Sequence, residues 1–168
     1  MKVNSYKGNI TELKSDEVFV FGSNYDSKTG KGGFHGAGSA GYATFNEVGN
    51  LWRKYEYDQW ADGAKGKWNV KGIGEGPQVG EIGKSYALPT VVKAGAKRSR
   101  TPQEISLSIK KLYEFAKKRP HLKFYIAQDA KMGLNGYTEY EMMDMFNSYP
   151  IPENVYFKEE FAALFKNL

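Results

Sequence analysis

Short apolar runs along this chain alternate with polar, glycine-rich stretches, and the runs carry two different periods. Glu17-Val18-Phe19-Val20-Phe21-Gly22 is compact and rich in β-branched and aromatic residues, which predicts a buried strand. Ser23-Asn24 are expected to end it, with a loop running on through Gly33. From Gly36 the period lengthens. Ala37, Ala40, Gly41, Thr44, Phe45 and Val48 share one helical face, and Gly49 is a suitable stop. Residues 70–73 read as a short strand, residues 72–77 as a loop, and Ser85-Tyr86-Ala87-Leu88-Pro89-Thr90 as a strand ending at its proline.

The second half is more regular. Thr101 is a suitable N-cap, Pro102 a first helical residue, and Glu104 completes a capping box. Ile105, Leu107, Ile109, Leu112, Phe115 and Ala116 are expected to form the apolar face. Lys117-Lys118-Arg119 set positive charge in the last turn, and Pro120 stops the helix. Leu122-Lys123-Phe124-Tyr125-Ile126-Ala127 predicts a strand, residues 138–147 a helix opened by Thr138 and Glu141, Asn154-Val155-Tyr156-Phe157 a last strand, and residues 158–167 a short terminal helix. Strand, loop and helix recur in that order. The expected architecture is a three-layer α/β/α fold with a mixed, largely parallel central sheet, in one domain over residues 1–168. An aromatic-rich insertion at about residues 50–69 carries Trp52, Tyr55, Tyr57, Trp60 and Trp68.

Composition narrows the function. The 168 residues are 40% hydrophobic and 26% charged, ordinary for a globular domain. No apolar run approaches the roughly 20 residues of a membrane helix. Met1-Lys2-Val3-Asn4-Ser5 lacks a signal peptide's apolar core, so a cytoplasmic location is expected. There is no cysteine, which removes disulfides and thiol catalysis. With two histidines, no metal site is expected, and no cofactor is implied. The net charge of +5 suits an anionic ligand. Its sharpest basic cluster is Lys93, Lys97, Arg98 and Arg100, read either as a solvated loop or as a clamp for phosphates or RNA.

The chain has 19 glycines, concentrated in residues 22–49, 63–83 and 133–136. The first loop reads Gly22-Ser23-Asn24, then Gly30-Lys31-Gly32-Gly33-Phe34-His35-Gly36-Ala37-Gly38. Such glycines let main-chain amides approach phosphate oxygens, and a helix starting near Gly36 would point its free N–H groups at the same anion. Gly133-Leu134-Asn135-Gly136-Tyr137 is a second bend between a strand and a helix, with amides to offer a second phosphate. His35 is placed to act as general base, to contact phosphate, or to stabilise its loop. Asp129, just past a strand end, is read either as a surface acid or as the best carboxylate candidate for catalysis. Asn24 is read as orienting a ribose or its own loop, Tyr137 as stacking or covering the core edge, and Gln78 and Ser85 as ligand donors or ordinary loop residues.

Lys7-Gly8-Asn9-Ile10-Thr11-Glu12-Leu13, with Ser15-Asp16-Glu17-Val18-Phe19-Val20-Phe21-Gly22-Ser23-Asn24, resembles the opening of a macro domain, the ADP-ribose-binding superfamily. Gly32-Gly33-Phe34-His35-Gly36-Ala37 resembles that family's glycine run. Gly80-Glu81-Ile82-Gly83-Lys84-Ser85-Tyr86-Ala87-Leu88-Pro89 resembles its later strand ending in Leu-Pro, and the bend 133–137 its second phosphate loop. More closely, Phe21-Gly22-Ser23-Asn24, His35-Gly36-Ala37-Gly38 and Ser85-Tyr86-Ala87-Leu88-Pro89-Thr90 resemble a macro-like group of bacterial and phage proteins, which implies a host cytoplasm if phage-encoded. The resemblance implies an ADP-ribose-like ligand, with Asn9 and Ile10 near a base and Asn24 and His35 near the distal ribose. Some members are hydrolytic; if this chain is one of them, His35 or Asp129 would help activate water. Asn9 stands where many members have an acidic residue that reads adenine, His35 where some hydrolytic members have an acidic residue, and Lys131 where close relatives tend to have glycine. Two other classes stay open: a nucleic-acid-binding protein using residues 93–100 with Trp52, Trp60 and Trp68, and a non-catalytic sponge for a nucleotide signal.

Overall fold

A computed structural model of the protein describes residues 2–10, 12–33, 39–40, 74–79 and 84–168. Its strands are β1 (Asn4–Tyr6), β2 (Glu17–Asp26), β3 (Lys31–Gly32), β4 (Gly76–Val79), β5 (Lys84–Val91), β6 (Lys123–Ile126) and β7 (Val155–Lys158). They join in one sheet of order β1-β7-β6-β2-β5-β4, with β3 attached to β2. The pairs β1–β7, β6–β7, β2–β6 and β2–β5 are parallel, whereas β4 and β3 run antiparallel to β5 and β2. The helices are α1 (Pro102–Lys117), α2 (Glu139–Phe146) and α3 (Glu159–Ala162), the last continued by a 3-10 turn over Ala163–Asn167. The fold is therefore mixed α/β with a mostly parallel sheet. Ser39 and Ala40 are helical, inside the helix expected from residue 36; the aromatic insertion at 50–69 and the strand expected at 70–73 lie outside the described residues.

Central strand β2 buries both faces, as its unbroken apolar run demands. Val18 and Val20 pack with Ile105, Ile109 and Leu112 of α1, Met142 and Phe146 of α2, and Phe157, Phe161 and Phe165 at the C-terminal end. Phe19 and Phe21 pack with Ala40 and Ala87, and Ile10, Leu13 and Ala127 lie against them.

Both long helices start where their caps predict. Thr101 and Thr138 each accept from the third helical amide, and Glu104 and Glu141 return a bond to the cap amide. Leu107 departs from its expected place in the core and is 55% exposed. The buried stripe of α1 is Ile105, Ser108, Ile109, Leu112, Tyr113 and Ala116, which keeps the helical period, and Leu107 falls off it.

Three strand boundaries also differ. The strand expected to stop at Gly22 continues through Ser23, Asn24 and Tyr25 to Asp26, because Tyr25 and Asp26 find ladder partners in Gly32 and Lys31. A four-residue turn, 27–30, closes this hairpin, with Gly30 N–H donating to the Asp26 carbonyl at 2.8 Å and Lys28 N–H to Asp26 Oδ1 at 2.9 Å. Gly76 and Pro77, expected in a loop, belong to β4, an edge strand where a missing proline N–H costs no ladder bond. Pro89 does not end its strand. It pairs with Ser23, and the register then slips so that Asn24 faces Val91, which leaves Thr90 as the extra residue of a bulge. The three-residue β1 was not expected at all.

Candidate functional site

Because β1, β7, β6, β2 and β5 are parallel, their carboxyl ends share one edge of the sheet, the edge at which open α/β sheets bind ligands. The loops leaving that edge carry most of the predicted site residues. At the β1–β7–β6 end, Lys158 Nζ donates to Asn9 Oδ1 at 3.1 Å and to Asp129 Oδ1 at 2.7 Å. Lys158 is 16% exposed and Asp129 54%, so the ammonium is sheltered while the carboxylate meets solvent. An ammonium can only donate, so Asn9 turns its oxygen inward and keeps its amide N–H groups for an outside acceptor. Lys158 was absent from the sequence reading. Below this cluster Tyr6 Oη donates to the Ile126 carbonyl at 2.8 Å, and burial holds its phenol well above the usual range, hence neutral.

The first glycine bend folds back on β2. Gly33 N–H donates to the Asn24 carbonyl at 2.8 Å. Gly32 and Gly33 have φ of 153° and 83°, and a Cβ on Gly32 would overlap the Asn24 carbonyl oxygen and Tyr25 Cα. Gly22 N–H donates to Ser39 Oγ at 3.2 Å, which ties the strand to a helical residue. Phe34, His35, Gly36, Ala37 and Gly38, the rest of this predicted loop and one of the two catalytic candidates, lie outside the described residues.

The second bend is closed largely on itself. Gly136 N–H donates to the Gly133 carbonyl at 3.1 Å, Tyr137 N–H to Asn135 Oδ1 at 3.0 Å, and Gly133 N–H to the Tyr137 carbonyl at a long 3.4 Å. Gly136 has φ of 83°, and a Cβ there would sit 2.9 Å from Lys97 Cβ. The amides of Leu134 and Asn135 have no partner among the described residues, so they are the pair this bend offers to an anion. Leu134 is 71% exposed.

Arg100 links the two bends. It is 5% exposed, and its guanidinium donates to the Tyr25 carbonyl at 3.0 Å, to Ser108 Oγ at 3.1 Å and to the Glu104 carbonyl at 3.4 Å. Tyr25 is the ladder partner of Gly32. Tyr137 Oη donates to the Arg100 carbonyl at 2.6 Å, and Arg98 N–H to the Asn135 carbonyl at 2.7 Å. A run of direct bonds therefore leads from Gly32 through Tyr25 and Arg100 to the 133–137 bend. Nothing in the sequence marked Arg100 out from its basic neighbours.

The basic cluster is thereby divided. Arg100 is interior. Arg98 forms a two-pronged ion pair with Glu141 at 2.8 and 3.0 Å, and its guanidinium lies 4.7 Å from the Tyr137 ring centre. That arrangement holds Arg98 in a left-handed backbone conformation, φ 52°. Arg98 stays exposed but paired, and Lys93 and Lys97 are the exposed cations of the cluster without an ion pair among the described residues. Ser85 stands apart from the other predicted contacts: it is 1% exposed at the amino-terminal end of β5, opposite Phe19 and Gln78.

A groove of about 630 Å³ separates α1 from α2, lined by Gln103, Leu107, Asp144, Met145, Ser148 and Tyr149 among others. Its charged walls, Glu141 and Asp144, are carboxylates, so it does not suit an anion. Among the described residues no group of three histidine, cysteine or acidic side chains is placed to hold a metal ion, and no helix is long and apolar enough to cross a membrane. No family model matches the chain, and no curated protein matches it.

Proposed function

We propose that the protein binds ADP-ribose, or a related phosphate-bearing nucleotide derivative, across the carboxyl ends of its parallel strands, within a three-layer, macro-domain-like α/β/α fold. The observation that carries this reading is the pair of glycine bends joined by direct hydrogen bonds through Arg100. In this arrangement the phosphates rest on the amides of the first bend, residues 32–38, and of Leu134 and Asn135. Asn9 and Ile10 lie toward the base, with the Asn9 amide N–H groups free to meet a ring nitrogen or carbonyl. Asn24 and His35 lie toward the distal ribose. In the hydrolytic form of the same reading, His35 or Asp129 takes a proton from the attacking water. Asp129 has one carboxylate oxygen engaged by Lys158 and another to offer. In the sponge form the ligand is held and released intact.

The test is thermal unfolding of the full chain in the presence of ADP-ribose, cyclic ADP-ribose isomers, NAD and simple nucleotides. A hundredfold excess of the true ligand over its dissociation constant stabilises the fold by about 2.7 kcal/mol. Gly33→Glu, which places a carboxylate where the anion sits, removes that stabilisation. Mass analysis of the recovered ligand separates hydrolase from sponge. Absence of stabilisation by every member of the panel would overturn the proposal. Binding to RNA is the weaker reading, because two of the four cations it relied on, Arg98 and Arg100, are committed to Glu141 and to the interior.

A further inference from the structure

The groove between α1 and α2 takes no part in the ligand site proposed above. Its lining combines carboxylates with apolar surface. Glu141 is engaged by Arg98, whereas the exposed Asp144 has no ion pair among the described residues. Leu107 lines the α1 side and is 55% exposed, and Met145 and Tyr149 line the α2 side. Tyr140, 57% exposed, precedes Asp144 by about one helical turn and lies on the same strip of α2. Two of the five large apolar side chains that stand exposed among the described residues therefore belong to the faces that form this groove. The basic loop lies beside it. Arg98 reaches across to Glu141 of the groove wall, and a Cβ on Gly136 would sit 2.9 Å from Lys97 Cβ, just ahead of α2. Lys93 and Lys97 of that loop are exposed and have no ion pair among the described residues.

An acidic groove and a basic loop side by side on one face are complementary to themselves. A second copy, turned by half a turn about an axis between them, sets each loop on the other's groove, so one rotation makes both contacts. We propose that this face joins two copies of the chain, the loop 93–97 of each copy seated on the α1–α2 groove of the other. A lysine suits this groove, because its ammonium can meet Asp144 while its methylene stem covers Leu107 and Met145. Lys110, at the Tyr149 end, already holds its ammonium 5.5 Å from the centre of that ring. Copies of a chain with a net charge of +5 repel one another at long range. The attraction is therefore local, and it centres on Asp144. The inference needs no ligand and stands independently of the nucleotide reading.

Sedimentation velocity of the full chain over a concentration series tests this. The wild type passes from monomer to dimer as concentration rises. Asp144→Lys and Lys97→Asp each raise the dimer dissociation constant at least about tenfold, since each sets like charges against one another. The doubly substituted chain, Asp144→Lys with Lys97→Asp, returns to within about threefold of wild type, because the pair is reversed rather than removed. Leu107→Gln weakens the dimer about tenfold by removing apolar contact. The three side chains are exposed, so dilute samples of every variant unfold at the wild-type temperature, which separates loss of the dimer from loss of the fold. A wild type that stays monomeric throughout would overturn the proposal. So would a dimer indifferent to Asp144→Lys, or a doubly substituted chain that associates no better than either single variant. A monomeric wild type whose α1 and α2 amides shift on titration with tetralysine would give the groove to a foreign basic segment, and would overturn the second-copy assignment as well.

Discussion

At the scale of single residues, the bends depend on glycines that no other residue replaces without strain. Gly136 combines a left-handed φ with close contact to Lys97, so Gly136→Ala should destabilise the protein by about 2 kcal/mol. Gly32→Ala should cost more, about 3 kcal/mol, because the obstruction is the Asn24 carbonyl and Tyr25 main chain, which cannot swing aside. Denaturant midpoints read both; equal, negligible losses would contradict these bend geometries. Glu141 provides a pH signature. Hydrogen bonds from Arg98, then from the Thr138 amide, hold its carboxyl down from 4.5 to about 2. A depressed native pKa means that the unfolded chain binds the proton first. The contribution is present above about pH 4.5 and is lost as pH falls toward about 2. Glu141→Gln keeps an oxygen for the helix cap but has no charge to lose. The stability gap between wild type and variant should therefore shrink over that window when unfolding is followed at successive pH values, and a constant gap would contradict the pairing.

At the scale of elements, caps and the buried arginine decide how the site is held. Thr138→Ala removes the N-cap of α2 and should cost about 1 kcal/mol, measured by urea unfolding. Arg100→Met leaves the Tyr25 and Glu104 carbonyls and Ser108 without their donor, and should cost about 3 kcal/mol in the same assay. Its amide exchange should quicken at the 133–137 bend as well as near Tyr25. Quickening at one of the two alone would sever the proposed link. The helix starts were legible because a capping box is a local signal, carried by Thr101 with Glu104 and Thr138 with Glu141. The strand ends were not. Ser23 and Asn24 have the polarity of a turn, and only pairings distant in sequence, with Pro89 and Val91 of β5 and of Tyr25 with Gly32, keep them in β2. Gly76 and Pro77 have the composition of a loop, and an edge position tolerates both. Leu107 is apolar but off the stripe, a distinction made by helical angle rather than by residue type. β1 is three mixed residues whose place depends on β7, far along the chain.

At the scale of the whole molecule, topology assembles what spacing hides. Asn9, Asp129 and Lys158 meet across three strands; Asp129 was legible as a loop residue just past a strand end, and Asn9 only through the resemblance. Lys158 was not, since a lysine beginning a run of charged residues looks like surface until β1 and β6 close around it. Arg98 and Arg100 shared one basic cluster in the sequence and do different work in the fold. One consequence is selective: Lys93→Ala with Lys97→Ala, which removes the cluster's exposed cations that lack an ion pair among the described residues, should leave ADP-ribose affinity within about twofold by calorimetry, because such solvated charges are largely screened. A loss far beyond that would return the basic loop to the centre of function. The most direct measurement for the account as a whole is amide-resolved NMR during titration with ADP-ribose. The account predicts saturating shifts that are largest at the Leu134 and Asn135 amides and over residues 22–24. Saturating shifts confined to residues 93–97, or to the groove between α1 and α2, would contradict it.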